Sequence, residues 1–271
     1  MGIAIRIADA TFTKYIGVAE FEDEPIIPDV PDEPDVPDVP DVPDVPDEPT
    51  VPDTYPVTDT LKGLYHLGGT LDESIVNHAE GGANATAGLG VAVNDGAPYA
   101  TFAEAEVRGR IMTGIITAPD NTTTIVALFR VPTGKRPIVS NCAMGKPHIT
   151  ITNKDVRYWK DTARLDSPFD GGDIVSSTDF ALVALTASTN GFRAVKSTSD
   201  GNFVTLASND GVDAWDAIQF SIGGADTTFS YNDPADIAFV SIHEGDMTDA
   251  QLTQIFAYVR AYGESKGLTI E

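Results

Sequence analysis

The sequence predicts an all-β protein: an antiparallel β-sandwich or jelly roll with one C-terminal helix, carried behind a polyproline spacer. Three observations predict it. From about Tyr55 onward, short runs rich in Val, Ile, Thr and Phe alternate with turn residues. Ten prolines recur at every third position from Pro25 to Pro52. One stretch of helical periodicity, with start and stop signals, closes the chain. At roughly 150 residues per domain, 271 residues fit two domains or one large β domain plus a tail. The boundaries are read as an N-terminal segment over 1–24, a spacer over 25–56 and a folded body over 57–271.

In the first segment Ile3, Ile5 and Ile7 alternate with other residues, and Phe12, Tyr15 and Ile16 follow, a pattern that suits one or two short strands. Some twenty residues bury too little surface to fold alone. The segment is therefore expected to dock on something larger, a partner protein or its own symmetry mates, with a disordered tail as the alternative. Met1-Gly2-Ile3-Ala4-Ile5-Arg6 has no basic stretch leading into an apolar core and cleavage site, so no export signal is expected there. Arg6 also stands where a myristoylation pattern wants Ser or Thr.

The spacer follows from the period. Polyproline II turns once every three residues and rises about 3.1 Å per residue. A repeat of three places the prolines on one edge, Asp29, Asp32, Asp35, Asp38, Asp41, Asp44 and Asp47 on a second, and Val30, Val36, Val39, Val42 and Val45 on a third. From Pro25 to Pro52 such a rod spans on the order of 80 Å. Fifteen acidic and no basic residues lie between Lys14 and Lys62, and their repulsion extends the rod further. A stiff solvated spacer is the plain reading; a multi-chain stalk sealed along the valine edges is the sharper one. Gly is absent from every third position, which excludes collagen, and an SH3-type ligand lacks its flanking basic residue.

Candidate strands in the body are 63–67, 99–102, 111–116, 123–130, 137–141, 148–153, 156–159, 180–187, 192–197, 203–208, 218–222 and 237–243. Asn94-Asp95-Gly96, Pro119-Asp120-Asn121, Asp170-Gly171-Gly172, Ser199-Asp200-Gly201 and Asn209-Asp210-Gly211 punctuate them as turns. The helix starts at Thr248, whose partner Gln251 three residues later makes a capping box, and stops at Lys266-Gly267. Leu252, Ile255, Phe256, Val259 and Tyr262 fall on one stripe that should pack on a sheet.

Composition excludes several classes. No apolar run approaches 18 residues, so no helical membrane span is expected. Seventeen basic against 41 acidic residues, a net charge of −24, argue against a grip on nucleic-acid phosphates. The lone Cys142 cannot form an intramolecular disulfide, and no Cys/His cluster spells a structural zinc site.

Leu61-Lys62-Gly63-Leu64-Tyr65-His66-Leu67-Gly68-Gly69, then Asp95-Gly96 before Tyr99-Ala100-Thr101-Phe102, then Trp215 to Gly223, and finally Ile237 to His243 with Met247-Thr248-Asp249-Ala250-Gln251-Leu252 resemble the laminin-G/concanavalin A-like jelly rolls of phage tail, appendage and surface proteins. Met247 replaces the usual Leu of the helix start. The resemblance covers residues 57–268. Ile3 to Phe12 also resembles the short leader that opens many such phage proteins. The likeness implies a virion component, assembled in the host cytoplasm and exposed on the particle, with Ile3, Ile5, Ile7, Phe12, Tyr15 and Ile16 as its anchor to other virion proteins. Trp215 sits where the family has a structural Trp.

No catalytic set is evident. Concanavalin-like hydrolases carry Glu-x-Asp-x-x-Glu on one strand, and Glu104-Ala105-Glu106 lacks the third carboxylate. His66, His78, His148 and His243 have no metal-ligand spacing, so each reads as a structural or surface residue. Sugar-binding jelly rolls use exposed aromatics and Asn/Asp loops, often ordered by calcium. Arg157, Tyr158, Trp159 and Asp161 are the candidate ligand platform, with a packed aromatic pair as the alternative. Asp170, Asp173, Asp200, Asp210 and Asp213 are candidate calcium ligands, although no EF-hand spacing is present; no other cofactor is expected. The function expected is a non-enzymatic virion protein that displays a binding domain for host-surface glycan. The alternatives are a capsid decoration protein, a bacterial adhesin and, last, a polysaccharide-degrading enzyme. A homotrimer is the expected assembly.

Overall fold

The structure is a computed structural model that describes residues 51–271 apart from 53, 89–95, 103–109, 117–121, 135, 142–147, 153–154, 161–162, 169–177, 189–190, 210–218 and 225–232, with backbone alone at 148–149, 155–160, 163–168, 192, 207 and 209. The N-terminal segment and residues 25–50 of the spacer lie outside the described residues, as do Glu104, Glu106, Cys142 and Trp215.

In chain order the elements are β1 (Leu61–His66), α1 (Leu71–Ser74), β2 (Thr86–Ala87), β3 (Ala100–Phe102), β4 (Ile111–Ile116), β5 (Thr123–Arg130), β6 (Pro137–Ser140), β7 (His148–Thr152), β8 (Asp155–Lys160), β9 (Ala163–Pro168), β10 (Ala181–Ser188), β11 (Gly191–Ser197), β12 (Phe203–Asn209), β13 (Gln219–Ile222), β14 (Ala235–Glu244) and α2 (Asp249–Ser265). The strands form two antiparallel sheets. The first runs β1-β14-β5-β10-β11-β12 with β3 also paired to β14; the second runs β2-β4-β13-β6-β7-β8-β9. The body is an all-β antiparallel sandwich with one C-terminal helix.

The side-chain alternation of β5 shows how the layers stack. Ile125, Ala127 and Phe129 enter the core between the sheets with Phe220, Ile222 and Ile138, whereas Val126 and Leu128 enter a second core beneath α2. β10 does the same, with Val183 and Leu185 inward and Leu182 and Ala184 toward the helix. In β14 the phase slips at a register shift between Ile237 and Phe239, so Ala238 and Phe239 both face the helix before Val240 returns inward. With both faces covered, the central strands are buried almost throughout, which is why their sequences read as continuous apolar runs.

α2 begins as its sequence dictates. The Gln251 N–H donates to Thr248 Oγ1 at 3.3 Å and the Thr248 N–H to Gln251 Oε1 at 3.0 Å, satisfying two otherwise free donors. Gly267 takes φ +75° just after the last turn, a conformation L side chains resist. Leu252, Ile255, Phe256, Val259 and Tyr262 are all buried on the first sheet, each contributing about 1.5–3 kcal/mol.

The packed body begins before residue 57. Val51 packs against the core under α2, and Tyr55 and Val57 belong to it. Tyr55, which falls within the 25–56 bounds read for the spacer, stacks on Phe239 and meets Tyr258 edge-on at 5.2 Å.

Candidate functional site

Strand alternation sends Tyr65 into the core between the sheets and leaves Leu64 and His66 on the helix side. After β1 the chain turns through Gly68 (φ +145°) and Gly69 (φ +69°). A Cβ on Gly68 would lie 2.7 Å from backbone atoms of residues 97–99, so only glycine permits this approach. Thr70 and Glu73 then close a capping box on α1, with the Glu73 carboxylate accepting from the Thr70 N–H at 2.7 Å. Those hydrogen bonds hold the Glu73 carboxyl below the usual carboxylate range.

Asn77 fixes the return of the chain. Its Oδ1 accepts from the Leu64 and Ala79 N–H groups, its amide donates to Lys62 O, and the His78 N–H donates to Leu64 O. The exposed His78 is thereby laid on His66, ring centroids 4.7 Å apart, and Tyr262 from α2 stacks on His66 at 4.5 Å. Lys266 Nζ lies 6.0 Å from the Tyr262 ring centroid. Burial, reinforced by the charges of His78 and Lys266, lowers the His66 pKa to about 4, so its imidazole is neutral at pH 7. His66 Nε2 is buried with no hydrogen-bond partner among the described residues.

Two grooves flank this stack. One, of about 690 Å³, is lined by His66, His78, Gly68, Gly69, Glu73, Tyr262 and Lys266 among others. The second, of about 560 Å³, is lined by His66, His78, Thr54, Tyr55, Asp59, Glu80 and Tyr258 among others. Both fall in the range of about 300–1,000 Å³ typical of ligand pockets. Tyr55, which lines the second groove, is held by a buried polar group. Tyr55 Oη lies 2.9 Å from Ser241 Oγ and 3.0 Å from His243 Nε2, and Thr60 Oγ1 lies 3.2 Å from His243 Nδ1. Burial lowers the His243 pKa to about 4 and raises that of the Tyr55 phenol.

The residues singled out in the sequence lie elsewhere. Arg157, Tyr158 and Trp159 are on β8 of the second sheet, opposite Thr150, Ile149 and His148 of β7 and Asp166, Leu165 and Arg164 of β9. Asp161, Asp170, Asp173, Asp210 and Asp213 lie outside the described residues, as do Ile3, Ile5, Ile7, Phe12, Tyr15 and Ile16. Asp200 is exposed, and its carboxylate is taken up by donors of its own loop, Thr198 Oγ1 and the N–H and side-chain amide of Asn202, which bring its pKa down to about 2. Among the described residues no group of three or more His, Cys, Asp or Glu is gathered to hold a metal ion. No described helix is long and apolar enough to cross a membrane.

His66, His78 and Tyr262 were missed as a group because no local spacing links them: 12 positions separate the imidazoles and α2 supplies the phenol.

No protein-family model matches the sequence, and no curated protein matches it either. Solved structures do. The binding domain of Paraclostridial Mosquitocidal Protein 1 superposes with a TM-score of 0.54 at 15% identity over 73% of this chain and 52% of that one. The botulinum neurotoxin serotype D binding domain gives 0.52 at 9% identity over 74% and 51%. The Trypanosoma rangeli sialidase gives 0.53 at 14% identity over 77% and 34%. The chain thus spans about a third to a half of these structures, and at such identities the likeness establishes the β-sandwich fold.

Proposed function

We propose that the chain is a non-enzymatic virion protein of phage type, in which an N-terminal anchor and a stiff acidic spacer hold out a β-sandwich that adheres to host-surface glycan. The observation that carries this reading is the junction. Three residues past Pro52, the last proline of the repeat, Tyr55 is already buried and hydrogen-bonded to Ser241 and His243. A stiff spacer, as the repeat reads in the sequence, followed within three residues by packed body, suits display. Two further points support it: the neurotoxin and mosquitocidal neighbours are binding domains by name, and two ligand-sized grooves flank the His66 stack.

Particle composition tests the virion half of the proposal. Purified particles made with the full chain are expected to contain it, and particles made with a chain lacking residues 1–24 are expected to lose it. A truncated chain that is incorporated at full copy number refutes the anchor. Copy number per particle separates a tail fibre from a capsid decoration protein.

A further inference from the structure

Resting on the adhesive reading above, we infer that the two grooves act as one cleft for an extended, uncharged glycan chain that crosses the His66–His78 ridge. The grooves share these two residues, so a ligand leaving one enters the other over the exposed His78 ring. Their volumes, about 690 and 560 Å³, are each of ligand size, and together they fit an oligosaccharide better than a single sugar.

Charge sets the class. Among the described lining residues, Glu73, Asp59 and Glu80 stand against one ammonium, that of Lys266. Asp59 and Glu80 make no hydrogen bond or ion pair among the described residues, so both carboxylates are open to accept from ligand hydroxyls. Sugar hydroxyls donate to carboxylates, whereas uronate or phosphate groups are repelled by them. The neutral His66 adds no positive charge to offset this. The wall of the second groove is the junction segment itself, through Thr54, Tyr55 and Asp59, so the cleft exists only while that segment is docked.

The test is titration of the full chain with purified polysaccharides, neutral (glucans, mannans, galactans, N-acetylhexosamine polymers) and acidic (polygalacturonate, hyaluronan, teichoic acids), followed by size-graded fragments of the best binder. Saturable binding to at least one neutral polymer is expected, with affinity rising from two to about four sugar residues. His78→Ala, at an exposed position, is expected to weaken binding of the longer fragments at least about tenfold with an unchanged melting temperature. Lys266→Ala and Glu80→Gln, one in each groove, are expected to weaken long fragments both, but a two-residue fragment through only one of them. Binding of acidic polymers alone, binding indifferent to His78→Ala, or binding to no member of the panel overturns the cleft. Strain-selective binding to cells that survives His78→Ala overturns the cleft while leaving the adhesive reading intact; absence of binding to any cell removes both.

Discussion

Removing the phenol oxygen of Tyr55 tests whether the end of the spacer belongs to the cooperative body. In Tyr55→Phe the ring keeps its stacks on Phe239 and Tyr258 but loses bonds of 2.9 and 3.0 Å to Ser241 and His243. Ser241 Oγ and His243 Nε2 lie 3.3 Å apart and can still bond each other, so the loss is closer to one net hydrogen bond than two, about 1–2 kcal/mol. Tyr55→Ala removes the ring as well and is expected to cost about 3–5 kcal/mol. Urea unfolding of the full chain, followed by fluorescence, reads both as a lowered midpoint at constant slope. In thermal melts Tyr55→Phe corresponds to a drop of about 2–8 °C at roughly 2–4 °C per kcal/mol. If Tyr55→Ala loses less than about 1 kcal/mol, the segment is docked on the body without being part of its cooperative fold.

Three further outcomes are expected. His243 has a folded pKa of about 4 against an ordinary value of 6.5, so the unfolded chain binds its proton first; stability is full above pH 6.5 and declines as pH falls toward 4, by on the order of 3 kcal/mol. Unfolding free energies at pH 7.5, 5.5 and 4.5 check this, and His243→Gln should flatten the slope. Gly68→Ala sets a Cβ 2.7 Å from backbone atoms at φ +145°, whereas Gly201→Ala at φ +82° meets open space, so the first is expected to cost at least about 3 kcal/mol and the second about 1–2 kcal/mol; equal losses in denaturant unfolding would contradict the close approach. Thr248→Ala breaks the α2 capping box and is expected to cost about 1 kcal/mol in the same assay.

Much of the fold was legible because it is written locally. β5 and β10 are eight-residue strands of mostly apolar sequence, and such runs end where the apolar pattern ends. Thr248 and Gln251 announced α2, and its five-residue stripe is buried as expected. The misses are of another kind. Ala163–Pro168 holds Arg, Asp and Pro and has no strand signature of its own; it is a strand because β8 offers it a ladder. β2 is two residues long and α1 four, below what periodicity can register. Tyr55 reads as spacer because the partners that bury it lie 186 and 188 positions away. The candidate site fared worse for the same reason, since nothing in the neighbourhood of His66 foretells that Asn77 will fold His78 back over it.

Adhesion is read out by titration: labelled full chain added to a panel of bacterial strains, with bound protein measured against concentration, with and without calcium chelation. Saturable binding confined to some strains is expected. Non-saturable binding that is equal on every strain, or none at all, would contradict it.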